Sequence, residues 1–145
     1  MYRRTTMATL AAILAITGVA VAQQKKKTDH GPIPWITSLK TARKMAAKQK
    51  RIIMVDYFAE WCPPCKEMLA TTYKDARVVA KAKRFIPALI DIDKAPKDAK
   101  LARVESIPTI VFYDHTGKEL VRGVGYRDAG DFLKLMAEAE KKVRK

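Results

Sequence analysis

The two cysteines of this chain stand three positions apart in the run Trp61-Cys62-Pro63-Pro64-Cys65-Lys66. A dithiol at that spacing can close to a disulfide and reopen, exchanging two electrons with a partner. A bridge across so short a loop removes little entropy from the unfolded chain, so it makes a poor staple and a better working bond. The pair follows Ile52-Ile53-Met54-Val55-Asp56-Tyr57-Phe58, an apolar run of strand character that carries one carboxylate. Cys62 therefore falls where a helix begins, and the unpaired N–H groups and partial positive charge of a helix start favour a thiolate. Pro63 and Pro64 temper this, because neither has an amide hydrogen. With Cys62 as N-cap, only Cys65 among the next three residues can donate to its sulfur. This predicts a Cys62 less acidic than one followed by free amides. It also predicts a couple that is reducing to intermediate rather than strongly oxidising.

Around this site the remaining pattern resolves into elements. Ser38 can cap a helix through about Lys50, with Leu39, Ala42, Met45 and Ala46 on one face. The 52–58 strand lacks polar alternation in its first half, as a strand covered on both faces does. Cys62 opens a second helix with its prolines in the first turn, where missing N–H groups matter least. Asp75 is placed to cap a helical stretch through Arg84. Ile86 to Ile92 reads as a strand in which Pro87 must begin the strand or need no ladder bond. Pro96 to Val104 reads as a short helix. Thr109–Tyr113 and Glu119–Val124 are strands joined by a hairpin loop at 114–118. Asp128 can cap a last helix whose apolar face is Phe132, Leu135, Met136, Ala139 and Val143. The order implies an α/β fold: a central mixed β-sheet flanked by helices, with parallel crossovers and a closing antiparallel hairpin.

At 145 residues the chain holds one domain's worth of sequence. Residues 1–22 read as a signal peptide: Arg3 and Arg4, then an uncharged and mostly apolar stretch, then the small-x-small Ala20-Val21-Ala22. An uncleaved anchor is the other reading of that stretch, and the only membrane attachment the sequence suggests. Residues 23–34 read as a flexible basic leader and 35–145 as the folded domain. Cleavage would take two arginines from a formal net charge of +14, leaving a strongly basic protein suited to acidic partners or surfaces. Zinc-finger spacing and single-strand-binding aromatic patterns are missing from the sequence, so nucleic acid is not an expected partner. One C-x-x-C supplies too few ligands for a metal, and His30 and His115 are expected to face solvent. Neither a metal nor a bound cofactor is expected.

Val55-Asp56-Tyr57-Phe58-Ala59-Glu60-Trp61-Cys62-Pro63-Pro64-Cys65-Lys66 resembles the active-site segment of the thioredoxin superfamily. Ser106-Ile107-Pro108-Thr109-Ile110 resembles its second landmark, the Ile-Pro-Thr with a cis-proline facing the disulfide. Trp35 and the first helix, Lys66-Glu67-Met68, and Val121 to Tyr126 narrow the likeness to thioredoxin-like domains of exported bacterial thiol:disulfide interchange proteins. The resemblance covers about Trp35 to the C-terminus and implies a thioredoxin fold. It implies that Cys62 is an exposed nucleophile and Cys65 a buried resolving thiol. It implies that Asp56 is a buried acid of raised pKa moving a proton for Cys65, the alternative being a satisfied carboxylate near a strand end. Ile107 would offer its backbone to a bound peptide and Pro108 would keep metals from the dithiol. Trp61 would pack over the active-site loop beside the substrate. Two departures stand out. Leu89 occupies the position where many thioredoxins have a lysine near the acid. Ala70 replaces a helix-kinking proline, which predicts a straighter second helix.

The implied function is thiol:disulfide exchange with protein substrates by a periplasmic or otherwise extracytoplasmic monomer, served by an upstream electron donor. A thioredoxin-fold adaptor or chaperone with incidental redox activity is the alternative. A carrier dedicated to cytochrome maturation fits less well, because the stretch between Cys65 and Pro108 leaves little room for that subfamily's additional segment.

Overall fold

An apolar run without solvent-facing alternation must be covered on both sides, and β1 (Ile53–Phe58) is buried at every position. The computed structural model describes residues 30–144. The signal-peptide reading of 1–22 and the leader at 23–29 lie outside these residues. In chain order the elements are α1 (Leu39–Gln49), β1, α2 (Pro63–Ala70), a 3-10 turn (Thr72–Lys74), α3 (Ala76–Ala82) and β2 (Ile86–Asp91). After these come α4 (Pro96–Leu101), β3 (Thr109–Tyr113), β4 (Glu119–Val124) and α5 (Ala129–Val143). The sheet order is β2-β1-β3-β4. β1 and β2 run parallel, while β3 is antiparallel to both β1 and β4.

Alternation along β1 divides the core. Ile53, Val55 and Tyr57 face a layer holding Leu39, Ala42 and Ala46 of α1 with Ala99 and Ala102 at α4. Met54 faces the opposite layer, with Met68, Tyr73, Val78, Phe132 and Met136. Phe58, two residues beyond Asp56 on that second face, packs with both cysteines. The expected caps are in place: Ser38, Asp75 and Asp128 accept from the amides of Thr41, Arg77 and Asp131. β4 lies close under α5. A Cβ on Gly123 would stand 2.7 Å from Leu135 Cδ2, so a side chain there would have to push Leu135 aside.

Two expectations change. Residues 30–34, assigned to the leader, are docked on the domain. Ile33 is buried in the core, His30 lies edge-on to Phe58, and the Trp35 indole donates to the His30 carbonyl at 3.0 Å. A segment with a single deeply buried apolar residue shows no periodicity, so its polar composition misled. His30 is thus half-buried rather than solvent-facing, as is His115. Nor does α2 run straighter for lack of a proline. It ends at Ala70, where Thr71 turns to φ −124°, ψ −72° and its hydroxyl donates back to the Glu67 carbonyl at 2.7 Å. The Glu67 carbonyl accepts from the Thr71 amide as well, at 2.9 Å, and such back-bonding bends a helix.

Candidate active site

Proline at the first helical position fixes φ near the helical value before the helix begins, and Pro63 does so for α2. Cys62 is the N-cap in extended conformation, and its Sγ accepts from the Cys65 amide at 3.3 Å. One helical turn brings the two sulfurs together, and they form a disulfide with the Cα atoms 5.3 Å apart. The Cys62 amide is held by the Ala59 carbonyl at 3.1 Å.

The expected exposure of Cys62 does not hold in this oxidised form. Cys62 is 2% exposed and Cys65 1%. Phe58, Ala59 and Leu89 enclose them, with Trp35, Leu69, Ile92 and Ile107 packed alongside. Beside them in sequence Glu60, Trp61, Pro63 and Lys66 reach solvent, and Pro64 is half-buried. Trp61 does not fold down over the loop: it is 63% exposed, tethered by its indole N–H to Asp93 Oδ2 at 2.8 Å.

Ile107 packs against the cysteine cluster from the loop before β3. The Ile107–Pro108 peptide bond is cis. Pro108 is buried and its carbonyl accepts from the Gly125 amide at 2.8 Å, which ties this loop to the end of β4. The Thr109 hydroxyl donates to the Ser106 carbonyl at 2.6 Å and closes the turn.

Asp56 is 1% exposed and lies opposite Leu89 in the β1–β2 register. Leu89 is itself part of the cluster around the sulfurs. Burial among apolar groups pushes the Asp56 carboxyl up to about 7, opposed by one hydrogen bond from the Tyr73 hydroxyl to Oδ2 at 2.8 Å. Its Oδ1 is buried and meets no side-chain or backbone donor among the described residues. Tyr73 in turn is raised well above the ordinary phenol value by its own burial and by Asp56.

The structure thus gathers Cys62, Cys65, Pro63, Pro64 and Ile107 at one point, sets Asp56 opposite Leu89 of their cluster, and leaves Trp61 at the exposed margin. Sequence reasoning missed Tyr73 and Asp93. Tyr73 stands in the irregular Thr71-Thr72-Tyr73 link between helices, where no periodicity marks a residue as buried. No group of three or more His, Cys, Asp or Glu side chains among the described residues is arranged to hold a metal.

A buried C-x-x-C disulfide heading a helix, beside a parallel βαβ crossover and an antiparallel hairpin, defines a thiol:disulfide exchange domain. The family model of the thioredoxin-like domain matches residues 39–140, and the chain belongs to that family. Thioredoxin of Chlamydia trachomatis is 36% identical over 87 residues, 60% of this chain and 81% of that protein. The thiol:disulfide interchange protein DsbD of Haemophilus ducreyi is 34% identical over 113 residues, 73% of this chain. The match spans only 20% of that protein. Among solved structures, a thioredoxin from Thermus thermophilus superposes with TM-score 0.68 at 28% identity, covering 76% of this chain and 88% of that one. With its cysteines at bonding distance, the protein is a thioredoxin-like thiol:disulfide oxidoreductase.

Proposed function

We propose that this protein is an exported reductant or electron relay, acting as a monomer on protein disulfides and re-reduced by an upstream thiol donor. The observation that carries the reading is the Cys62–Cys65 disulfide at the head of α2, where a single amide, that of Cys65, reaches Cys62 Sγ. A helix start with fewer donors stabilises the thiolate less, which favours the oxidised form of the pair and makes its reduced form the better donor.

In the reduced protein the Cys62 thiolate attacks one sulfur of a partner disulfide. A Cys62–partner bond forms, and the partner's other sulfur leaves and takes a proton from solvent. Cys65 passes its proton to Asp56 and attacks Cys62 Sγ. The internal disulfide closes, the second partner sulfur departs and is protonated, and the partner has gained two electrons from the dithiol. Asp56 suits the proton step because its value near 7 lets it exist in both forms at neutral pH. Exposed Trp61 and half-buried Ile107 are the side chains a docking polypeptide would meet, with Pro108 fixing the loop. Export rests on the composition of residues 1–22, and the likeness to part of DsbD agrees with an interchange role.

The test is reduction of insulin disulfides, with the couple's midpoint measured against glutathione buffers. Wild type should reduce insulin and be the stronger reductant of the two couples. Cys62→Ser should be inert, and Cys65→Ser should retain its partner as a mixed disulfide. A wild type that binds unfolded clients without reducing them would support the adaptor reading instead. A midpoint well on the oxidising side of glutathione would overturn the direction proposed.

A further inference from the structure

A carboxyl group enclosed by apolar side chains is free to turn unless something holds one of its oxygens. At Asp56 that something is Tyr73, a residue from a different element 17 positions away. Its ring is fixed edge-on between Trp35, at 5.0 Å, and Phe132, at 5.2 Å. The hydroxyl therefore has little freedom, and it meets Oδ2 at 2.8 Å while Oδ1 has no donor among the described residues.

We propose that Tyr73 is the positioning residue for Asp56, holding Oδ2 so that Oδ1 alone exchanges the proton of the resolving thiol. The inference rests on the reading of Asp56 given above. Among the described residues the surroundings leave Tyr73 as the acid's one polar support. β2 and β3 set Leu89 and Ile110 opposite Asp56. From α5 and the N-terminal segment, the residues against Tyr73 are Phe132 and Trp35, and the ionisable side chain of that segment, His30, lies edge-on to Phe58 at 5.6 Å. On α2 the ionisable groups facing inward are the cysteines, while Lys66 and Glu67 point to solvent. Beside Tyr73, Lys74 is exposed and Asp75 is turned to the Arg77 amide and guanidinium. A neutral phenol thus stands in for the cationic partner that Leu89 does not supply. It steadies the carboxylate without adding a charge to the core.

The experiment compares wild type, Tyr73→Phe, Asp56→Asn and the double variant of the full chain. The Asp56 titration is followed in the oxidised protein by its carboxyl-carbon NMR shift. The pH profile of reduction of a fluorogenic peptide disulfide is measured in parallel. A hydrogen bond to a charged group is worth about one pH unit or more. Tyr73→Phe should raise the Asp56 midpoint by that amount and move the rate profile upward with it, lowering the rate up to about tenfold on the acid side. In the Asp56→Asn background the same change should leave the profile where it was. A fluorinated tyrosine in place of Tyr73 keeps the ring contacts and donates more strongly, so both midpoints should move down. An Asp56 midpoint indifferent to both replacements overturns the proposal. A midpoint that moves while the rate profile stays fixed also overturns it, because Tyr73 would then hold an acid outside the reaction. Failure of the broader reading looks different: wild type itself would show no Cys62-dependent reduction.

Discussion

Asp56 is ionised only by placing a charge in an apolar layer with one phenolic hydrogen bond to support it. Its carboxyl therefore holds its proton up to about 7, against 3.8 for an ordinary aspartate. Between these values the folded state binds more proton than the unfolded chain, so stability falls as pH rises. Below the window both states are protonated and nothing is lost, and above it the loss is complete at about 4 kcal/mol. Replacing Asp56 with Asn should flatten this dependence. In the oxidised protein the variant should unfold at clearly higher denaturant than wild type at about pH 8 and at nearly the same concentration at about pH 4. Equal pH dependence in the two proteins would mean that Asp56 is solvated in solution. The acid was legible in the sequence because a lone carboxylate inside an apolar run is conspicuous. Tyr73 was not, since a tyrosine in an irregular link looks the same whether it points inward or outward. The burial of Cys62 was hidden for a related reason: part of its cover, Leu89 of β2 and Ile107 of the loop before β3, is distant along the chain.

At the scale of elements, α2 is a helix whose start is short of donors. Pro63 and Pro64 occupy its first two positions, and the Cys65 amide is left to meet Sγ alone. Pro64→Ala restores an N–H at the mouth of the helix without adding charge. The Cys62 thiol should then ionise at a pH lower by about half a unit to one unit, read from thiolate absorbance, and the couple should become more oxidising. An unchanged midpoint would show that the missing amides do not control its acidity. Capping residues made most helices readable, since Ser38, Asp75 and Asp128 each announce a start through an accepting side chain. The end of α2 was not readable. There Thr71 leaves helical backbone angles while its hydroxyl bonds back to Glu67, a bond that threonine makes in some helices and not in others.

Over the whole molecule, the strongly positive balance, +14 for the full chain, is the property a distant partner senses first. Several basic side chains are engaged locally, as in the pairing of Lys81 and Arg84 with Glu140, yet the excess is far from neutralised. Reduction of an acidic protein disulfide should therefore slow about tenfold between low and near-molar salt, while a small neutral disulfide is reduced at a nearly constant rate. Equal salt dependence for the two would remove steering from the account. The element order implied a mixed sheet, but not which strand would lie outermost, because pairing depends on contacts across the fold. The outermost position of β2 explains its proline. The Pro87 carbonyl points away from β1 and receives the Ile36 amide at 3.0 Å, and the Leu89 amide donates to the Ile36 carbonyl at 3.0 Å. One residue ahead of α1 thus occupies bonding groups that another chain's strand would otherwise seek, and proline withholds a further donor. The molecule carries its own guard against edge-to-edge aggregation on that side, so trimming the chain past Ile36 would strip away protection from self-association as well as a few contacts.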